Sequence, residues 1–221
     1  MTYAEFYDSF AQHPLLLWVA AVLGLLVALS RRGRSPSVRH FCIALTILSL
    51  LDAWLTTTDV PGLGSLTGRA ASLVPLAFVL LGDFRYFLFV EGARQDGTLA
   101  IDARRVATAG AWTLLVPVAS QLVVGALGSD EPRVLFLVYE LLFVVLALGI
   151  AARYLPSYTD APAWTGRVTR YVVVYYGLWA TADAIILTTG ADVGFLLRVL
   201  PNALYYGGLV AVIAWTAPRS T

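Results

Sequence analysis

Lysine is missing from this chain of 221 residues, and all 15 basic side chains are arginine. Without lysine no Schiff base can form, which excludes covalently attached retinal or pyridoxal. It also excludes a phosphate-binding loop of the usual lysine-containing type. Charge of either sign is scarce, at 13% of residues against about 25% in soluble domains. That is too little to coat a surface facing water. Cysteine and methionine occur once each and histidine twice. Cys42 has no companion for an internal disulfide. His13 and His40 sit at the edges of apolar runs, and no His/Cys/carboxylate cluster has the spacing of a zinc site. The net charge of +1 gives no reason to expect nucleic acid, and no cofactor is expected.

What the chain does contain is apolar text: 59% of residues are hydrophobic. It falls into seven runs at roughly 14–30, 38–58, 69–91, 106–127, 133–154, 168–189 and 194–216. Each is near the ~20 residues that cross a bilayer core as a helix. Strands of a barrel would alternate polar and apolar residues, which these runs do not. The expected fold is therefore an all-α integral membrane protein of seven transmembrane helices in one membrane domain, with the plasma membrane as its expected location. Glu5 and Asp8 precede the first run where a leader would carry basic residues, so the run is read as a retained helix.

Arginine sets the orientation. Arg31, Arg32, Arg34, Arg39, Arg94, Arg104, Arg105, Arg153, Arg167, Arg170 and Arg219 fall on one side of the runs, and only Arg69 and Arg133 on the other. The positive-inside rule then places the N-terminus outside and the C-terminus in the cytoplasm.

The second and sixth runs align without a gap. Arg39, Asp52, Ala53 and the pair Thr57–Thr58 match Arg170, Asp183, Ala184 and the pair Thr188–Thr189. The third and seventh continue the match: Pro75, Ala77 and Gly82 parallel Pro201, Ala203 and Gly208. Pro14 and Pro132 open the first and fifth. This is a parallel pseudo-repeat, with helices 1–3 (about 14–91) and 5–7 (about 133–216) as copies and helix 4 (about 106–127) between them. Parallel repeats about the membrane normal are a transporter architecture.

A 3+1+3 plan with the N-terminus outside resembles the SWEET and PQ-loop sugar transporters, and also the bundles of microbial rhodopsins. Pro201-Asn202 in the seventh helix is similar to the Pro-Asn pair of the sugar transporters, and the resemblance implies that Asn202 faces substrate. The likeness covers topology over the whole chain and sequence at a few positions. No Pro-Gln pair opens the first or fifth helix, Pro75 is followed by Leu76, and the lysine that holds retinal is missing.

Ionised groups at membrane depth cost roughly 3 kcal/mol each on insertion scales, so those present must face inward or snorkel to the interface. Asp52 and Asp183 are expected roughly 8–10 Å below the outer helix ends, and Glu140 and Asn202 roughly 10–13 Å, at about 1.5 Å per residue. With Arg198 nearer the surface, these five form one outer-half layer. Asp83 and Arg85 lie toward the cytoplasm, where Arg85 is free to snorkel. Helical phase puts Arg198, Asn202 and Tyr206 on one face, and Tyr176, Trp179 and Asp183 on another. Together these make a candidate substrate site: Asp52, Glu140, Tyr176, Trp179, Asp183, Arg198, Asn202 and Tyr206. Structural roles remain open beside it. Each Asp could tie neighbouring helices, Glu140 and Arg198 could form a buried ion pair, and Tyr205 and Tyr206 could be packing residues. Gly24, Gly82, Gly177, Gly207 and Gly208 are expected at close helix contacts.

The leading functional expectation is a small-solute transporter or permeation protein. Its partners are the lipid bilayer, an unidentified small molecule and, optionally, further copies of the chain in a homo-oligomer. An intramembrane enzyme using the paired Asp52 and Asp183 as general acid and base, in the manner of a lipid hydrolase such as the lysoplasmalogenases, is the first alternative. An opsin-like, retinal-free ligand sensor is the second.

Overall fold

In the computed structural model the described residues are 5, 9, 14–55, 69–154, 162–191 and 193–219. His13, Asp8, Thr57 and Thr58 lie outside them, as do the side chains of Trp54, Leu55 and 69–79, Pro75 among them. Seven helical stretches follow one another: α1 Pro14–Ser30, α2 Pro36–Leu55, α3 Arg69–Gly92, α4 Ala103–Leu127, α5 Pro132–Gly149, α6 Ala163–Thr189 and α7 Val193–Thr216. Five of them, α2 and α4 to α7, contain a stretch long and apolar enough to cross a membrane, and α1 is a shorter apolar helix. No strand occurs among the described residues, only one isolated bridge between Ala93 and Leu99.

The helix ends follow local chemistry. α1 and α5 start at Pro14 and Pro132, where a missing N–H costs nothing. Asp102 caps α4 by accepting from the Arg105 amide at 2.9 Å. Gly128 and Gly190 close α4 and α6 in the left-handed region, at φ 62° in both cases, where L side chains are strained. α5 continues as a π turn over Ile150–Tyr154.

The bundle exposes large apolar side chains on its outer surface and takes ionisable ones into a mostly apolar interior, unlike a soluble domain. Leu23, Leu26, Leu114, Val118, Leu122, Val145 and Leu148 stand on its outer surface, while Asp83, Arg85 and Asp183 are buried. With the apolar spans, this makes the chain a membrane protein. Between α2 and α3 lies a cleft of about 400 Å³, lined by apolar side chains with Ser37, His40 and Arg85.

α7 is not one regular helix. It runs as Val193–Leu197, turns at Arg198, resumes over Val199–Ala203, widens into a π turn at Leu204–Gly208 and ends as Leu209–Thr216. Pro201 cannot donate to the carbonyl of Leu197, four residues back. The Tyr171 hydroxyl donates to the Leu204 carbonyl at 2.8 Å, at the start of the π turn. Glycine lets α1 reach this segment: a Cβ on Gly207 would lie 1.9 Å from the Ala20 carbonyl oxygen, and one on Gly24 would lie 2.1 Å from that of Gly207. Gly82 and Gly208 are equally tight, under the hydroxyls of Tyr205 and Tyr171. Gly177 differs from expectation, with nothing within 4 Å of an added Cβ.

The arginine-rich end is knitted by the 93–99 turn. Ser35 donates to the Gly97 carbonyl at 2.9 Å, Ser37 accepts from the Leu99 amide at 2.9 Å, and the Trp164 indole donates to the Arg94 carbonyl at 2.9 Å. Within the turn, Asp96 accepts from the amide and the hydroxyl of Thr98, at 2.9 and 2.7 Å. These two bonds hold its carboxyl below the usual carboxylate range. Arg31 lies over the Trp215 ring, 3.3 Å from its centroid.

Candidate functional site

The ionisable groups at membrane depth form two clusters rather than one layer. The first joins α5, α6 and α7. Asp183 Oδ1 accepts from Arg133 Nη1 at 2.8 Å and from Arg198 Nη1, and Arg198 Nη1 also lies 3.6 Å from Glu140 Oε1. The order Arg133–Asp183–Arg198–Glu140 is formally neutral, two cations against two anions. Asp183 is fully buried, and Glu140, Arg133 and Arg198 are buried with it. Asp183 Oδ2 and Glu140 Oε2 have no hydrogen-bond donor among the described residues. Buried carboxylate oxygens are normally satisfied, so this network has capacity left over. Beside it the Trp179 indole donates to Asn202 Oδ1 at 2.8 Å. The Glu140–Arg198 pair expected as a helix tie is thus present, and it is extended by two residues.

The charge bias of the sequence places Arg133 with Arg69, on the side opposite most arginines. Arg133 sits in the first turn of α5, buried, with its guanidinium 5.3 Å from the Phe195 ring centroid. The signal was available, since residues 133 and 140 are seven apart and share a helix face.

The second cluster joins α2, α3, α5, α6 and α7. Arg85 does not snorkel: it is 2% exposed. Its Nη1 donates to Ser49 Oγ, its Nε approaches the Gly82 carbonyl at 3.4 Å, and its guanidinium stands 4.6 Å from the Tyr205 ring centroid. Its remaining nitrogen, Nη2, has no acceptor among the described residues. Asp52 lies one turn beyond Ser49, faces Arg85 and takes a hydrogen bond from Tyr206. Asp83, also 2% exposed, accepts from Tyr139 on one oxygen and from Tyr176 on the other. Tyr176 therefore serves this cluster rather than Asp183, although both lie on α6.

Aromatic rings fill the space between the clusters. Tyr176 stacks on Phe143 at 3.9 Å and meets Trp179 edge-on at 5.3 Å, and Trp179 packs on Tyr205 at 5.3 Å. Sequence depth alone grouped Asp52 with Asp183, but in the structure their charged partners differ: Asp52 faces Arg85, and Asp183 faces Arg133 and Arg198. Tyr139 and Asp83 were not among the expected site residues, because a single polar side chain in apolar text does not reveal its partner on another helix. Comparison with family models, with characterised proteins and with solved structures gave no match, so the functional reading rests on this geometry.

Proposed function

We propose that the chain is a small-solute transporter or permeation protein. Its solute site lies at the Arg133–Glu140–Asp183–Arg198 cluster, with Asn202 and Trp179 on its wall. In this reading the chain crosses the plasma membrane seven times as a 3+1+3 pseudo-repeat, with the N-terminus outside. The observation that carries it is the irregular course of α7: a turn at Arg198, Pro201 and Asn202 just after it, and a π turn over Leu204–Gly208. Discontinuous helices at ionisable clusters are how transporters expose backbone and side chains to a solute within the membrane. π turns likewise recur at functional sites.

Charge balance indicates the solute class. A neutral quartet of two guanidiniums and two carboxylates matches a solute of no net charge, sugar-like or zwitterionic. Such a solute offers donors to Asp183 Oδ2 and Glu140 Oε2 without adding a buried charge. The rings of Tyr176, Trp179 and Tyr205 give it an apolar wall. The test is uptake of radiolabelled glucose and glycine into liposomes carrying the purified chain. Uptake of at least one is expected above that of protein-free liposomes, with a loss of about three- to tenfold in Asn202→Ala, the cost of one hydrogen bond. Uptake of both probes equal to the protein-free control would overturn the reading.

A further inference from the structure

The two clusters differ in charge. The first has two arginines for two acids. The second has Asp52 and Asp83 against one described cation, Arg85. That cation is tied to the helix of Asp52. The Arg85 guanidinium reaches α2 through Ser49, and Asp52 is on the same helix, one turn on. Arg85 is also within electrostatic reach of Asp83, but the carboxylate of Asp83 is turned the other way, to Tyr139 on α5 and Tyr176 on α6.

Among the described residues, the titratable groups set against Asp83 come from four helices besides α4. α5 gives Tyr139, α6 gives Tyr175 and Tyr176, α7 gives Tyr205, and α3 itself gives Arg85. α2 contributes Asp52 through Arg85. α4 carries no ionisable side chain beyond Arg104 and Arg105 in its first turn. Among the described residues the cluster is therefore one positive charge short, in a place where an uncompensated charge is costly. A metal ion does not fit the deficit. Both carboxylate oxygens of Asp83 already face phenol hydroxyls, and no group of metal-ligating side chains occurs among the described residues. Sodium and calcium need several converging oxygen acceptors.

We propose that Asp83 is an exchangeable proton site of the membrane domain, holding one proton between Tyr139 and Tyr176 at neutral pH. On loading, the proton forms an O–H bond on one Asp83 oxygen. That oxygen then donates to the tyrosine facing it, whose hydroxyl turns aside, while the other oxygen keeps its tyrosine donor. On release the proton leaves Asp83 and both tyrosines again donate. The chain Asp83–Tyr176–Trp179–Asn202 leads from this proton to the irregular stretch of α7. The site stands whether or not the first cluster carries a solute.

The test is infrared difference spectroscopy on the purified full chain in lipid nanodiscs at neutral pH, which needs no substrate. A protonated-carboxyl C=O stretch sensitive to deuterium exchange is expected. It should be lost in Asp83→Asn, kept in Asp52→Asn, and moved to higher frequency in Tyr176→Phe, where one hydrogen bond is gone. Absence of such a band, its survival in Asp83→Asn, or its removal by sodium at constant pH would overturn the proposal. If Asp83→Asn does not fold, Tyr176→Phe decides: a band in the same place as in the unsubstituted protein rejects Asp83 as its source.

Discussion

Asp183 holds two guanidiniums on a single oxygen, which makes it the residue whose loss strands the most charge. Asp183→Ala removes the one carboxylate oxygen that both Arg133 and Arg198 reach, and leaves Arg198 with Glu140 at 3.6 Å. The expected cost is about 3–5 kcal/mol, as for breaking any buried pair. Arg133→Ala should cost less, because Asp183 keeps Arg198. Reversible unfolding in mixed micelles gives both values, and the opposite order would remove Asp183 from the centre of the network. Asp96 offers a second, pH-dependent test outside the membrane. Its carboxyl is held low by the two Thr98 donors. A lowered folded-state value means that the stabilisation is complete above the ordinary carboxylate range and is lost as pH falls through the folded value. Protection of the Thr98 amide, its exchange relative to an unstructured peptide at the same pH, should therefore fall on acidification below about pH 4. In Asp96→Asn that dependence should vanish, since the amide still accepts but no longer titrates. Protection at Thr98 unchanged by acid in the native chain would show that the carboxylate does not hold the turn.

α7 and α1 are held by surfaces that glycine alone permits. An added methyl at Gly207 meets the Ala20 carbonyl at 1.9 Å, and backbone cannot yield as a flexible side chain can. Gly207→Ala should separate the helices and destabilise by about 1–3 kcal/mol. Gly177→Ala, in open space on α6, should be neutral or stabilising by up to about 1 kcal/mol. Equal effects of the two in thermal unfolding would refute the contact. The same elements show what the sequence discloses. Pro14, Pro132, Asp102, Gly128 and Gly190 mark helix ends through their own backbone chemistry, so the seven runs come out within a few residues. α6 starts earlier than its apolar run, at Ala163, because Trp164 and Thr165 are buried against the 93–99 turn rather than in lipid. Pro201 announces a weakness in α7, but the π turn that follows depends on Tyr171, Ala20 and Gly24 from other helices. Nothing in the local text of 204–208 encodes those.

At the scale of the molecule, the helix that carries each ionisable group was legible and its partner was not. Counting residues from a helix end locates an acid along the membrane normal, which is why Asp52, Glu140 and Asp183 read as one layer. Which neighbour each acid meets depends on how helices rotate and tilt against one another, and that is set by packing such as Phe143 on Tyr176. The arginines carry a different kind of information, a bias between the two sides that survives any rotation of the helices. Gln95, before α4, and Asp130, after it, are both exposed and lie at opposite ends of that helix. In a Cys42→Ala background, Asp130→Cys should react with a membrane-impermeant maleimide added to intact cells. Gln95→Cys should react only once the membrane is opened. Labelling in the reverse pattern would put the arginine-rich end outside and defeat the proposed orientation. Labelling of both positions from one side would mean that α4 does not cross, and an uncrossed α4 would remove the even offset on which the parallel repeat depends.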